Sequence, residues 1–143
     1  MDQPSQTPAP ERKVRVLIVD DEVSFTRMVK LNLEKTGRYD VRELNVATFA
    51  VTTAREFKPD LIFLDVIMPG QDGGDVAAQL QRDRYVRGTP VVFLTATVSR
   101  REAGTEGLNS GGALFLAKPV SVGDLIACID QHSRKADSEP LAP

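Results

Sequence analysis

Short runs of apolar, largely β-branched residues recur along the chain, and between them the apolar positions spread to a helical spacing. Val14-Arg15-Val16-Leu17-Ile18-Val19 is nearly all apolar, the pattern of a strand buried on both faces. Residues 24–36 then place Phe25, Met28, Val29 and Leu33 on one helical face, and Gly37 ends that helix. A second strand is predicted over 39–46, and a short helix over 47–57 that stops before Pro59. Leu61-Ile62-Phe63-Leu64 reads as a third buried strand. Asp72 N-caps a helix reaching about residue 85, with Val76, Ala77 and Leu80 inward. Val91-Val92-Phe93-Leu94, opened by Pro90, is a fourth strand. Residues 99–109 make a poor helix: Gly104, Gly107, Gly111 and Gly112 fall within or just after it, and each helical Gly costs about 1 kcal/mol against Ala. A mobile segment is expected there. Ala113-Leu114-Phe115-Leu116 is a fifth strand, and Ser121 caps a last helix carrying Leu125, Cys128 and Ile129.

Strands and helices in alternation predict an α/β fold of the doubly wound kind: five parallel strands joined by right-handed crossovers, with five helices on the two faces. The 143 residues suffice for one domain, placed at 12–135. Residues 1–11 read as a flexible Pro-rich leader and 136–143 as a disordered tail. With 41% hydrophobic and 27% charged residues the composition is that of an ordinary globular chain. A net charge of −2 argues against non-specific nucleic-acid binding. The single cysteine, Cys128, excludes an intrachain disulfide and points to a reducing compartment, and it is expected to pack in the core. The lone His132, near the end of the last helix, is expected on a solvated face or as a favourable C-terminal charge, and not as a ligand. No apolar run approaches the ~20 residues of a membrane span, and patterns for zinc, dinucleotide and P-loop sites are missing.

In parallel sheets ligands bind beyond the carboxyl ends of the strands. Those ends read Asp20-Asp21-Glu22 after the first strand, Asp65 after the third, Thr95 after the fourth and Lys118-Pro119 after the fifth. Three carboxylates crowded at one rim raise each other's pKa unless a cation joins them. A hard divalent ion with oxygen ligands fits: Mg2+, with Mn2+ as an alternative. Glu22 is expected to serve the helix dipole and not to be a ligand. A carboxylate nucleophile, a divalent metal, a lysine and a hydroxyl together make a set suited to phosphoryl transfer.

The segments Val16-Leu17-Ile18-Val19-Asp20-Asp21-Glu22, Leu64-Asp65-Val66-Ile67-Met68-Pro69-Gly70-Gln71-Asp72-Gly73, Phe93-Leu94-Thr95-Ala96 and Phe115-Leu116-Ala117-Lys118-Pro119 occur in that order, with Asp21 and Asp65 44 positions apart and Asp65 and Thr95 30 apart. In these segments the chain resembles the receiver domain of two-component response regulators, over essentially all of 12–135. The resemblance implies a flavodoxin-like (CheY-like) sheet of strand order 2-1-3-4-5. It implies that Asp65 is the phospho-acceptor and Asp21 a direct Mg2+ ligand. Asp20 would act mainly through water, and the backbone carbonyl of Ile67 would be the third protein ligand. Thr95, Ala96 and Lys118 would bind the phosphoryl group, Phe115 would move inward with Thr95, and Lys118-Pro119 would be cis.

With eight residues after Lys135 the chain is expected to be a single-domain regulator. The resemblance implies a bacterial, cytoplasmic signalling domain rather than an enzyme in its own right, apart from promoting its own phosphorylation and slow self-dephosphorylation. The slow loss is expected because Ile67 and Thr97 occupy the positions that tune it. Its partners would be a sensor histidine kinase or phosphotransfer protein, and an effector docking on the face of the fourth helix, fifth strand and last helix. It would be a monomer or a phosphorylation-dependent dimer, with no nucleic acid and no membrane. Two alternatives stand beside this: a phosphorylation-independent scaffold, and a receiver fragment of a hybrid histidine kinase. A dehalogenase-type phosphatase would carry an acid two residues after its nucleophile, where this chain has Ile67.

Overall fold

Strand β1 (Val14–Val19) is paired along both edges and covered on both faces over Val16–Val19, which accounts for the apolar run there. In the computed structural model, which describes residues 12–68, 70–96, 108–110 and 113–133, it lies between β2 (Tyr39–Leu44) and β3 (Leu61–Asp65), parallel to both. A two-stranded ribbon, β4 (Ile67–Met68) and β5 (Gln71–Asp72), follows β3, and Gly70 sits in its turn with φ +76°. Then come β6 (Val91–Thr95), β7 (Leu108–Ser110) and β8 (Ala113–Ala117). The main sheet runs β2-β1-β3-β6-β8-β7. Its five parallel strands therefore have the expected order 2-1-3-4-5.

The sixth strand is a correction. Leu108 and Asn109, read above as the end of a helix, pair antiparallel with Phe115 and Leu114. The register also joins Ser110 to Ala113. The rest of the expected fourth helix, including Gly104 and Gly107, lies outside the described residues, as do the leader, the tail and Thr97.

Four helices are described: α1 (Val23–Lys35), α2 (Ala50–Phe57, entered through a 3-10 turn at Ala47–Phe49), α3 (Gly73–Arg82) and α4 (Val122–His132). Their ends are set by local chemistry. Asp72 accepts from the Gly74 N–H at 2.8 Å, and Ser121 and Asp124 form a reciprocal capping box. Gly37 turns the chain after α1 with φ +82°. α3 is shorter than its apolar pattern promises, because Asp83 turns extended and its carboxylate accepts from the Tyr85 N–H (2.9 Å) and Arg55 Nε (2.7 Å). α1 is rotated from expectation: Thr26, Val29 and Leu33 face inward, while Met28 is 36% exposed. The α1 face is set by a hydrogen bond to Thr26, described below.

Alternation along β1 divides the core. Val16 and Ile18 pack with Val29, Leu33, Leu125, Cys128 and Ile129 under α1 and α4. Leu17 and Val19 pack with Ala50, Ala54, Val76 and Leu80 under α2 and α3. Each fully buried Leu or Ile contributes about 1.5–3 kcal/mol. These two layers hold the strand ends rigidly in place. Burial pushes the Cys128 thiol up to about 12, so it is a packing residue and not a nucleophile. His132 lies in the last turn of α4, half-buried with Nε2 enclosed, so of the two expected placements the helix end holds and the open face does not.

Tyr39 yields a pH-dependent prediction. It is 1% exposed and its hydroxyl donates to Asp130 Oδ1 at 3.0 Å. Burial first, then that bond and the Asp130 charge, push the phenol from 10.0 to about 12, against the nearby Arg38. Between those two values the folded chain keeps a proton that the unfolded chain loses, so stability falls as pH rises through the window. Tyr39→Phe is expected to flatten that fall, read as urea midpoints across pH 10.0 to about 12. An unchanged slope would contradict it.

Candidate functional site

The carboxyl ends of β1, β3, β6 and β8 bring the residues picked out in the sequence to one rim. Asp20 and Asp21 follow β1, Asp65 closes β3, Thr95 closes β6 and Lys118 follows β8. One oxygen from each of Asp20, Asp21 and Asp65 lies within 4.8 Å of the other two.

The three carboxylates are not equivalent. Asp20 is wholly buried and both its oxygens are engaged: Oδ1 accepts from the Glu22 N–H (2.9 Å), Oδ2 from Lys118 Nζ (2.7 Å). Asp21 is exposed, and among the described residues its carboxylate has no ion pair. Asp65 is 7% exposed; its Oδ1 receives a long bond from the Ile67 N–H (3.4 Å), and Oδ2 lies 3.8 Å from Lys118 Nζ. Burial and then the Asp20 charge hold the Asp65 carboxyl above the usual carboxylate value, with Lys118 and the Ile67 N–H offsetting part of this. Burial alone would lower the Lys118 ammonium. Its hydrogen bond to Asp20 and the charges of Asp20, Asp65 and Glu22 outweigh that and hold it above the ordinary lysine value.

Lys118 is further positioned by the Phe25 ring, 4.8 Å from Nζ to centroid. The Lys118-Pro119 peptide is cis. Glu22 occupies the N-cap position of α1 without a side-chain cap bond, 3.9 Å from Lys118 Nζ. Thr95 is buried, and its carbonyl accepts from the Lys118 N–H at 2.9 Å. Ala96 is exposed beside it and, with Phe25, Met28 and Lys118, lines a shallow recess of about 380 Å³. Phe115 is half-buried and stacks on its register partner Phe93, centroids 5.2 Å apart. Ile67 is 63% exposed at the edge of the site.

Several supporting residues escaped the sequence reading. Asn45 Nδ2 donates to the Asp20 carbonyl (2.7 Å) and to Thr26 Oγ1 (3.0 Å). Thr26 in turn bonds Glu43 Oε1 at 2.9 Å, and Glu43 pairs with Arg27. This chain ties the loop carrying Asp20 to the end of β2. Its only sequence signal is a polar residue just beyond a strand end. Gly73 packs directly beneath Asp65, and its N–H donates to the Val66 carbonyl at 2.8 Å.

The sequence model of the response regulator receiver domain matches residues 16–130. The chain belongs to this receiver family. The receiver is 36% identical over 126 residues to the DNA-binding response regulator MtrA of Mycolicibacterium paratuberculosis, with 88% of this chain and 54% of MtrA aligned. It is 34% identical over 128 residues to the DNA-binding regulator RpaA of Synechocystis, with 90% of this chain and 52% of RpaA aligned. The chain thus spans about half the length of the curated relatives it matches. Among solved structures it superposes on the chemotaxis protein CheY4 of Vibrio cholerae with a TM-score of 0.71, at 27% identity, covering 85% of this chain and 99% of that one.

The receiver's acidic pocket suits a divalent cation on its own chemistry. Two buried carboxylates repel each other across it, Lys118 compensates Asp20 more than Asp65, and Asp21 has both oxygens open. Among the described residues no helix is long and apolar enough to cross a membrane.

Proposed function

We propose that Asp65 accepts a phosphoryl group from the phosphohistidine of a sensor histidine kinase or phosphotransfer protein, or from a small acyl phosphate. The observation that carries the reading is the meeting of Asp65, the acidic pair Asp20 and Asp21, and Lys118 at one strand-end rim. An Asp65 oxygen attacks phosphorus in line, the new O–P bond forms as the P–N bond breaks, and the imidazole leaves with the electron pair and is protonated. Asp21, Asp65 and the Ile67 carbonyl would hold Mg2+ or Mn2+, with Asp20 reaching it through water. When bound, the ion screens charge on the phosphoryl oxygens. Lys118 needs only a short swing from Asp20 to meet a phosphoryl oxygen, since Asp65 is already 3.8 Å from Nζ. The Thr95 hydroxyl and the Ala96 backbone complete the cradle.

The added charge of about −1.5 to −2 then biases a two-state surface. Thr95 turns to the phosphoryl group and Phe115 follows it, altering the face of β8 and α4 that an effector protein reads. The chain acts as a signalling domain of the bacterial cytoplasm and not as a turnover enzyme. DNA binding belongs to the longer relatives named above, and this reading assigns no nucleic-acid contact to the rim.

Incubation with acetyl phosphate and Mg2+ is expected to add about 80 Da to the intact mass. Chelation of the metal or Asp65→Asn abolishes the gain. After desalting into Mg2+ buffer the adduct is expected to decay slowly, because apolar Ile67 cannot hold an attacking water. An adduct on Asp65→Asn, or none on the wild type, would contradict the proposal.

A further inference from the structure

The opposite end of the sheet holds a second charged recess that the phosphoryl chemistry does not use. A cleft of about 640 Å³ lies where the start of β1, the end of α2 and the turn before β6 meet. That is a volume typical of small-molecule sites, about 300–1,000 Å³. Arg12, Arg15, Arg55 and Lys58 line it together with Asp60 and Tyr85.

The two outer guanidinium groups are anchored from behind. Asp60, 2% exposed, accepts from Arg12 through both oxygens at 2.9 and 2.7 Å, and also from the Arg15 N–H at 2.8 Å. Buried Asp83 accepts from Arg55 Nε at 2.7 Å. A guanidinium carries five N–H donors, so Arg55 retains donors beyond those Asp83 uses, in a plane already fixed, while Arg12 also donates to the Lys13 carbonyl at 3.3 Å. Arg15 and Lys58 are different: among the described residues neither side chain has a carboxylate partner. The cleft therefore holds an excess of positive charge with two cations uncommitted. At its mouth Tyr85 is 67% exposed, with the Arg55 and Arg84 guanidinium carbons 5.6 and 5.5 Å from its ring centroid. Fixed donors, spare cations and an exposed aromatic ring are the parts that hold phosphates beside a planar base.

We propose that this cleft binds a nucleoside diphosphate or a similar phosphate-bearing nucleotide, the phosphates on Arg15 and Lys58 between the anchored guanidinium groups and the base against Tyr85. Such a site lies at the strand starts, away from Asp65, and would respond to a ligand independently of the acceptor rim. Lys58 offers a clean test position. Its backbone is left-handed (φ 56°) at the end of α2, where glycine is better tolerated, so Lys58→Gly removes the charge without a folding penalty.

The test is a backbone amide NMR titration of the full chain in Mg2+-free buffer with ADP, pyrophosphate, adenosine and a short DNA duplex. ADP and pyrophosphate are expected to give saturable shifts at Arg15, Lys58, Asp60 and Tyr85, with ADP severalfold tighter and adenosine alone not saturating. Arg15→Gln with Lys58→Gly weakens both about tenfold or more. Tyr85→Ala brings ADP down to the level of pyrophosphate, and Asp65→Asn changes neither. The proposal is overturned if ADP fails to saturate below about 10 mM, if its shifts gather at the acidic rim, or if the double variant binds unchanged. Equal affinity for ADP and pyrophosphate in the wild type rejects the nucleotide, and tighter binding of a short DNA duplex than of ADP rejects a small ligand.

Discussion

Lys118→Met is expected to cost about 2 kcal/mol of unfolding free energy and to slow phosphorylation by acetyl phosphate at least about a hundredfold. The stability loss follows from Asp20, which is wholly buried and takes its charge balance from Lys118 at 2.7 Å. Removing one member of a buried pair strands the other, and the figure is set below the usual buried-pair range because the Lys118 side chain is 18% exposed. The pH window also changes, although the sign does not. Lys118 now contributes stability that is complete below its ordinary value of 10.5 and is lost as pH rises through its raised one. In the variant, Asp65 remains above its ordinary 3.8 with less to oppose it, so stability rises as pH falls through that raised value. A second substitution separates the two roles. Adding Asp20→Asn to Lys118→Met is expected to recover most of the urea midpoint while phosphorylation stays slow. Recovery of both would mean that Lys118 does not act on the phosphoryl group apart from its pairing with Asp20, and recovery of neither would mean that the stranded Asp20 charge is not the cause of the stability loss.

Gly73→Ala is expected to destabilise by about 3 kcal/mol and to remove phospho-acceptance together with stability. A Cβ at this position would collide with the Asp65 carbonyl oxygen and lie 2.8 Å from Val66 Cα and 2.9 Å from the Val66 oxygen. All three are backbone atoms of the loop that presents the Asp65 carboxylate, so relief requires that loop to move. Gly74→Ala is the control: its nearest neighbour is an Asp72 side-chain oxygen at 3.3 Å, and a near-wild-type midpoint is expected. Urea denaturation of the two variants, with the rate of adduct formation under acetyl phosphate, reads both effects. A Gly73→Ala protein with wild-type midpoint and rate would show that the close approach is not limiting.

The parallel strands were legible because burial on both faces writes itself as continuous apolar runs, and Asp20, Asp21, Asp65, Thr95 and Lys118 were legible because each stands where such a run stops. What lay beyond the sequence depends on contacts distant along the chain. Lys118 lies closer to Asp20 (2.7 Å) than to Asp65 (3.8 Å), a preference no spacing encodes. Thr26 takes an inward place that an apolar pattern gives to Met28, because Asn45 and Glu43 satisfy its hydroxyl from β2 and the residue after it. Strand β7 is three residues long, too short for a periodicity to show, and it exists through its pairing with β8. The cations of the second cleft are spread from Arg12 to Lys58 and become a cluster only when β1 and the end of α2 are brought together.

The claim on which the rest depends is a covalent acyl phosphate at one carboxyl. After reaction with acetyl phosphate and Mg2+, borohydride reduction converts a phosphorylated aspartate to homoserine, and peptide mass mapping then locates it. Homoserine at Asp65 alone, absent without metal, is the result expected. Homoserine at Asp20 or Asp21, or an unmodified Asp65 in protein that has gained the phosphoryl mass, would contradict it.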